Sequence, residues 1–270
     1  MIKSICLGGL LILITSCNSN DITDPHANPD ENKTVILAPE KSFSLLSLSA
    51  DKGITSGSYS SDKITKCILE SSPDIITLQD VEYSRSSSDI VTDIAYQISK
   101  NGLRRQGLFT AIETADDKYY GVGIITKGHF VGTSKVTLNN NLILSTFGHV
   151  LESGDKITIA TCQFDRESEQ SRVQQAKSLC EYVSSINYPF VVSASIHAGR
   201  DSEVLEILKK KFRFSCKFNT GSTYPANNPT ERYDFILTPL SQKWGTQGVN
   251  ILGDESLSDH KALLIRVGLR

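Results

Sequence analysis

The segment Arg232-Tyr-Asp-Phe-Ile-Leu237 places an arginine and an aspartate at the start of a short apolar run. Two related segments, Pro73-Asp-Ile-Ile-Thr-Leu-Gln79 and Ser193-Ala-Ser-Ile-His-Ala198, precede it and also join strand-like apolar residues to polar ones, and the polar triplet Ser258-Asp-His260 follows it. Runs of this length and composition are typical of buried strands. The ordered set is the strongest indication of the fold.

Helical and strand patterns are interleaved irregularly around these segments. Helices are predicted over Ser61–Ser71, Asp89–Lys100, Glu169–Ser184 and Ser202–Lys211, the last capped by Asp201. The strands predicted outside the quoted segments are Ser42–Ser49, Gly121–Thr126, Asn141–Val150, Lys156–Phe164, Phe190–Ser193 and Ala262–Val267. Strands outnumber helices, which indicates an α+β sandwich of two packed sheets with helices outside. The pattern alone supports a doubly wound α/β sheet nearly as well.

The N-terminus has the pattern of an export signal. Lys3 precedes an apolar run over Ile5–Ile14, which is too short to span a bilayer. The run ends at Ile14-Thr-Ser-Cys17, which resembles the lipobox of bacterial lipoproteins, although an ordinary signal peptide with a chance cysteine is the alternative. We therefore predict a signal peptide over residues 1–16, a lipidated Cys17 with a flexible polar tether over residues 17–41, and one domain over residues 42–270. The protein would then be exported and lipid-anchored to a bacterial membrane, periplasmic or at the cell surface.

Charge and cysteine content limit the possible functions. With 28 basic and 30 acidic residues, the formal net charge is −2, which disfavours a nonspecific nucleic-acid binder. Besides Cys6 and Cys17, the cysteines are Cys67, Cys162, Cys180 and Cys216, and none has metal-ligand spacing. An exported protein can pair some of them, but the apolar patterns around the first three favour free, buried thiols.

The ordered segments resemble the motifs of the endonuclease/exonuclease/phosphatase superfamily, metal-dependent phosphoesterases related to DNase I. The resemblance runs from about Phe43 to Val267. It implies a four-layered α/β/β/α sandwich with the active site at one edge, where loops from both sheets converge. It also implies phosphoester hydrolysis, in which a carboxylate-held Mg²⁺ polarises the phosphate, a general base aligns water, and a His–carboxylate pair supports the developing charge.

Part of the family's chemistry is retained. By resemblance, Asp234 would orient the imidazole of His260, and Asp259 would lie near the metal. Asp80 stands where the family has its main metal-binding glutamate, one methylene shorter. The retained residues also have structural interpretations: Asp259 can cap a turn, and Arg232 can form an ion pair with Asp234.

Other family positions have changed. Ser49 replaces an asparagine, Gln163 a histidine and Ser195 the aspartate that acts on water, while His197 replaces a companion asparagine. Loss of a general base alone typically costs about 10²–10⁴-fold in rate. A Mg²⁺ site left with Asp80 and Asp259 would be weak or absent, because Mg²⁺ requires near-octahedral oxygen geometry.

These observations lead to two hypotheses. The favoured one is a lipoprotein with the phosphoesterase fold and an impaired or inactive site, whose cleft binds a ligand or partner, with a phosphate ester as one candidate. The alternative is an active phosphoesterase that uses either Mg²⁺ on Asp80 and Asp259, or His197 and His260 as acid and base. In the second form both imidazoles must face one pocket. Otherwise, His197 simply fills vacated space.

Overall fold

The computed structural model describes residues 36–51, 54–55, 58–59, 61–84, 89–115, 117–215 and 221–270. The predicted signal peptide, Cys17, most of the tether and Cys216 lie outside these ranges. Within them, no helix combines the length and apolar character that crossing a membrane requires.

The described strands form two large mixed sheets and one small pair. In chain order the strands are β1 (Ser42–Ser49), β2 (Ile54–Thr55), β3 (Ser58–Tyr59), β4 (Ile75–Ser84), β5 (Arg105–Ala115), β6 (Lys118–Lys127), β7 (Thr133–Thr137), β8 (Ile143–Val150), β9 (Lys156–Gln163), β10 (Phe190–Ser195), β11 (Phe212–Phe214), β12 (Asp234–Pro239), β13 (Trp244–Leu252) and β14 (Ala262–Leu269). The first sheet has the order β13-β14-β1-β4-β6-β5, and the second has β11-β12-β10-β9-β8-β7. β2 pairs only with β3 among these elements.

The helices cover the outer faces of the two sheets. They are α1 (Ser61–Ser71), α2 (Ile90–Lys100), α3 (Glu169–Ser185) and α4 (Glu203–Lys209). One apolar cluster joins α1 and α2 to the first sheet, a second joins α3 and α4 to the second sheet, and a third lies between the sheets. β1 shows how the sequence produces these layers, because Leu46 faces the helices and Leu45 faces the other sheet. The predicted α/β/β/α sandwich is confirmed, and the doubly wound sheet is excluded.

Several local predictions need correction. The N-cap of α4 is Ser202, whose side chain accepts from the Leu205 amide, so the predicted cap at Asp201 is wrong by one residue. The sequence pattern did not predict β13, because its middle is polar and largely exposed, as is typical of an edge strand.

The predicted free state of Cys67, Cys162 and Cys180 is confirmed.

The strand directions bring the chemically active residues to one edge. β1 runs parallel to β4, with Ser49 opposite Gln79, and β9 runs parallel to β10, with Gln163 opposite Ser195. The amide of Asp80 donates to Gln163, so these two pairs meet at the same edge. β12 runs antiparallel to β10 and β14 runs antiparallel to β1, so both begin at that edge. In the second sheet, Ser195 pairs with Gln163 on one side and with Asp234 on the other.

Candidate functional site

A buried histidine–aspartate pair lies at the centre of this edge. Nδ1 of His260 is 2.7 Å from Oδ2 of Asp234, and neither side chain is exposed to solvent. Burial alone would lower the pKa of His260 and raise that of Asp234. Their mutual attraction and hydrogen bond outweigh burial, so the pKa of His260 is raised and that of Asp234 is lowered. The pair therefore favours an imidazolium facing a carboxylate.

The segment that carries His260 is fixed to the end of β1. Ser258 donates its hydroxyl to the carbonyl oxygen of Ser49 at 2.6 Å, and the amide of His260 donates to Ser258 Oγ at 3.2 Å. Asp259 is 35% exposed in its side chain, and its Oδ1 lies 3.9 Å from Nε2 of His260. Within the described part of the chain, that Nε2 has no hydrogen-bond partner although it is buried.

His197 lies against His260, as the two-histidine hypothesis requires. The ring centroids are 5.7 Å apart with the planes nearly perpendicular, and Nε2 of His197 lies 3.3 Å from the hydroxyl of Ser195. His197 has the left-handed backbone angle φ 52°, an uncommon conformation, two residues after the end of β10. The surface at this edge, where the side chains of Arg166 and Asp259 are 36% and 35% exposed, is called the cleft below. Burial first, and then the positive charge of Arg166, lower the pKa of His197 to about 3, so its imidazole is neutral near pH 7.

Tyr224 and Tyr233 complete an aromatic cluster around the histidines. Their rings stack on each other with centroids 5.0 Å apart. Tyr224 contacts the ring of His260 at 4.8 Å, and Tyr233 contacts that of His197 at 5.6 Å. The sequence placed both tyrosines beside motif residues but gave no reason to assign them a role. Sequence reasoning therefore missed them.

Asp80 lies on a β-bulge in the middle of β4, just after the pairing with β1 ends at Gln79. The register of β4 with β6 shifts between Leu78 and Val81, and Asp80 has φ 50°. Its amide donates to Oε1 of Gln163 at 2.7 Å, and this hydrogen bond joins the bulge in β4 to the end of β9. Oδ2 of Asp80 lies 2.8 Å from a guanidinium nitrogen of Arg166. The side chain of Asp80 is 9% exposed and that of Arg166 is 36% exposed, so a buried carboxylate meets a cation at the rim.

Comparison with known proteins identifies the fold. No protein-family model and no curated protein sequence matches the chain. Among solved structures, an endonuclease/exonuclease/phosphatase from Beutenbergia cavernae matches at a TM-score of 0.71 and 14% identity, over 85% of this chain and 72% of that one. The chain has the endonuclease/exonuclease/phosphatase fold.

Two further structures with this fold are named for defined proteins. The mannosyl-6-phosphatase of Bacteroides thetaiotaomicron matches at a TM-score of 0.63 and 13% identity, over 83% of this chain and 99% of that one. The human Nocturnin catalytic domain with bound sulfate anion matches at 0.67 and 16% identity, over 90% of this chain and 98% of that one. At these identities the likeness establishes the fold alone.

The donors at the site do not fit the metal that the endonuclease/exonuclease/phosphatase fold implies. Among the described residues, no group of three or more His, Cys, Asp or Glu side chains is placed to hold a metal ion. Asp80, the expected main ligand, is ion-paired with Arg166. Mg²⁺ prefers several hard oxygen ligands in near-octahedral geometry, and a carboxylate neutralised by a guanidinium is a poor start for such a site.

Two charged residues at the site were missed by sequence reasoning. Arg166 follows β9 by three positions. The only sequence signal for it was a positive charge close to Gln163, the residue that replaces the family's histidine. Asp51 follows Ser49 by two positions. Burial first, and then the negative charges of Asp259 and Asp80, raise its pKa to about 6. Asp51 therefore lies close enough to Asp259 and Asp80 to feel their charges, although no motif marked it.

A buried polar network supports the site from beneath. At the carboxyl ends of the central strands, the apolar layer between the sheets gives way to hydrogen-bonded side chains. Nε2 of Gln79 donates to Thr161 at 2.8 Å and to Ser193 at 3.1 Å, and Ser193 also bonds to Ser47 at 2.6 Å and to Thr77 at 2.8 Å. These five side chains are fully buried and connect the two sheets. They fix the relative position of β4 and β10, and hence of Asp80 and His197.

Proposed function

We propose that the chain is a phosphate-ester-binding protein with the endonuclease/exonuclease/phosphatase fold that has lost metal-dependent hydrolysis. The observation that carries the proposal is the 2.8 Å ion pair between Asp80 and Arg166. It engages the carboxylate on which the expected metal site depends. Arg166 thereby supplies a fixed positive charge at this edge, which an anion can contact.

The surroundings of His260 also support a binding role. His260 is fully buried beneath a layer that includes His197 and Tyr224. At the position where the resemblance predicts the carboxylate that acts on water, the side chain is Ser195, whose hydroxyl faces His197. Without that base, hydrolysis by the family mechanism would be slower by about 10²–10⁴-fold.

The ligand class follows from charge and from the neighbours with the same fold. One of them is named a mannosyl-6-phosphatase, and another has a bound sulfate anion. Both names concern ligands with a tetrahedral oxyanion group. The exposed Arg166 and the half-buried His197 suit the same group, and Tyr224 and Tyr233 offer apolar faces for the organic part of an ester.

A second candidate function is metal-free phosphodiester cleavage, favoured by the 5.7 Å separation of the two imidazoles and their opposite pKa shifts. Neutral His197 would accept the proton of an attacking water. His260 would donate a proton to the leaving oxygen as the new phosphorus–oxygen bond forms and the old one breaks. Against this stands the pKa of His197 at about 3, which makes its imidazole a weak base at neutral pH.

Hydrolysis assays separate these candidates. The full chain is assayed with an activated phosphodiester and an activated phosphomonoester, in Mg²⁺, in Mn²⁺ and in EDTA, beside His260→Gln. Our proposal predicts no turnover above the level of the variant under any of the three conditions. Turnover that survives EDTA and is lost in both His260→Gln and His197→Gln would establish the two-histidine mechanism. Metal-dependent turnover lost in Asp259→Ala would contradict both.

We also propose, on the sequence alone, that the protein is exported and lipid-anchored through Cys17. The test is metabolic labelling with a radioactive fatty acid in a bacterial host, comparing the full chain with Cys17→Ser. Label that is incorporated into the parent and not into the variant supports the anchor. Equal labelling, or none in either, would exclude it.

A further inference from the structure

Hydrogen bonds fix the backbone of the loop that carries Arg166. Oδ1 of Asp165 accepts the amides of Glu167 and Ser168 at 2.9 and 2.8 Å. A nitrogen of Arg172 donates to the carbonyl oxygens of Asp165 and Arg166, each at 3.1 Å. Backbone bonds of this kind fix the turn, so Arg166 is presented to the cleft at a low entropic cost.

The side chain of Arg166 has capacity beyond Asp80. A guanidinium carries five N–H donors in a planar fork, and the ion pair with Asp80 involves one of its terminal nitrogens. With 36% of the side chain exposed, an external anion can reach the rest of the group. The positive charge of Arg166 also lowers the pKa of His197, so it acts on the side chains around His260.

A second group in the cleft has an unused hydrogen-bonding atom. Nε2 of His260 is buried, and no hydrogen-bond partner for it lies in the described part of the chain. Buried polar atoms are rarely left unpaired, and an unsatisfied one in a cleft marks a place where a ligand atom or water is missing. The ring of His260 lies 5.7 Å from that of His197, on which the charge of Arg166 acts, so this Nε2 belongs to the same edge of the sheets as Arg166.

We propose that Arg166 takes the part of a divalent cation in this cleft and itself binds the phosphoryl group of the ligand. The inference rests on the proposed phosphate-ester-binding function and names the residue that performs it. Guanidinium groups suit phosphoryl oxygens because two N–H donors can address two oxygens at once. In this arrangement Asp80 competes with the ligand for the same cation. Binding should therefore be independent of metal and opposed by Asp80.

The test measures binding of phenylphosphonate to the full chain by calorimetry, in Mg²⁺ and in EDTA. Its carbon–phosphorus bond is not a phosphoester, so the result does not depend on whether the protein is a hydrolase. The variants are Arg166→Gln and Asp80→Asn, with Arg104→Gln as the matched control. Arg104 is an exposed arginine in the loop between α2 and β5, outside the cleft. Asparagine is well tolerated at the positive φ of position 80, so the second variant keeps the bulge.

We expect the parent and Arg104→Gln to bind equally in Mg²⁺ and in EDTA. Arg166→Gln should bind about tenfold more weakly or worse, since a hydrogen bond to a charged group is lost. Asp80→Asn should bind a few-fold more tightly, because the competing carboxylate charge is gone. A purely structural role for the ion pair would weaken binding in both variants. Weaker binding in both variants would therefore overturn the inference. Binding that is abolished by EDTA, or no binding at concentrations on the order of 10 mM, would overturn it as well.

Discussion

Nδ1 of His260 donates to Oδ2 of Asp234 across 2.7 Å inside the protein, and neither side chain reaches solvent. A carboxylate only accepts hydrogen bonds, so Nδ1 carries a proton in both the neutral and the charged imidazole. Nε2 stays buried without a hydrogen-bond partner in the described part of the chain. The pair thus links β12 to the segment before β14, and it also fixes the orientation of the His260 ring.

Asp234→Asn should lower the free energy of unfolding by about 2–4 kcal/mol near neutral pH, because it leaves a buried imidazole without its ionic partner. Denaturant titration of the variant and the parent measures the change. A difference of less than about 0.5 kcal/mol, the size of a surface substitution, would show that the pair contributes little.

That loss of stability should depend on pH in a defined direction. The raised pKa of His260 stabilises the fold at low pH, and this contribution disappears as pH rises through the folded pKa. The lowered pKa of Asp234 stabilises the fold above about pH 4, the unfolded value, and this contribution disappears as pH falls through the folded pKa. The penalty in Asp234→Asn should therefore be largest between these limits, at about pH 4–6.5. A penalty that keeps growing above neutral pH would contradict the assignment.

A double-mutant cycle on Asp80 and Arg166 should give a favourable coupling of about 1 kcal/mol, measured by denaturant titration of Asp80→Asn, Arg166→Gln and the double variant. The value is modest because solvent screens a guanidinium that is more than a third exposed. Arg166→Gln should be the more destabilising single change, since it leaves the charge of a buried carboxylate less compensated. Additive single effects would show that the observed proximity has no energetic weight.

Asp51→Asn should stabilise the protein near pH 7.5 and leave its stability nearly unchanged below about pH 4. The folded pKa of Asp51, about 6, is above the ordinary value of 3.8, so the unfolded chain loses this proton first. The parent therefore loses stability progressively between these two pH values, and the asparagine variant does not. Asp201→Asn, at an exposed position, controls for the removal of one negative charge. A gain that is independent of pH would exclude the proposed cause.

Ser193→Ala should lower the free energy of unfolding by about 1–3 kcal/mol, because buried hydrogen-bond partners in both sheets lose the hydroxyl they share. The bonds at risk join Ser193 to Thr77, Gln79 and Ser47. The matched control is Ser185→Ala at the exposed end of α3, where the change should be within about 0.5 kcal/mol. Equal effects in the two variants would show that the network is not a source of stability.

The sequence predicted many of the strands and helices from their apolar patterns, but those patterns alone supported a doubly wound sheet nearly as well. The resemblance to a known family led to the prediction of the layered sandwich, and in β1 the structure shows Leu45 and Leu46 facing different layers. The contact between Asp234 and His260 was also predicted, since both lie in segments that resemble known motifs. Edge strands such as β13 were missed because an exposed, polar strand has no such pattern.

The sequence could not reveal which charges meet in the cleft. Arg166 reaches Asp80 only because a β-bulge turns Asp80 and a hydrogen-bonded loop turns Arg166, and neither feature has a simple sequence signal. The same holds for His197, whose approach to His260 depends on a left-handed backbone angle. These contacts join residues far apart in the chain, and local patterns do not determine them.

The most direct measurement is a titration of the full chain with Mn²⁺, followed by the electron paramagnetic resonance signal of the free ion. Because Asp80 is paired with Arg166, we predict no stoichiometric site with a Kd below about 1 mM, and the same result for Asp80→Asn. Stoichiometric binding in the micromolar range that is lost in Asp80→Asn would show a working metal site. It would contradict the assignment of the cleft's cation to Arg166.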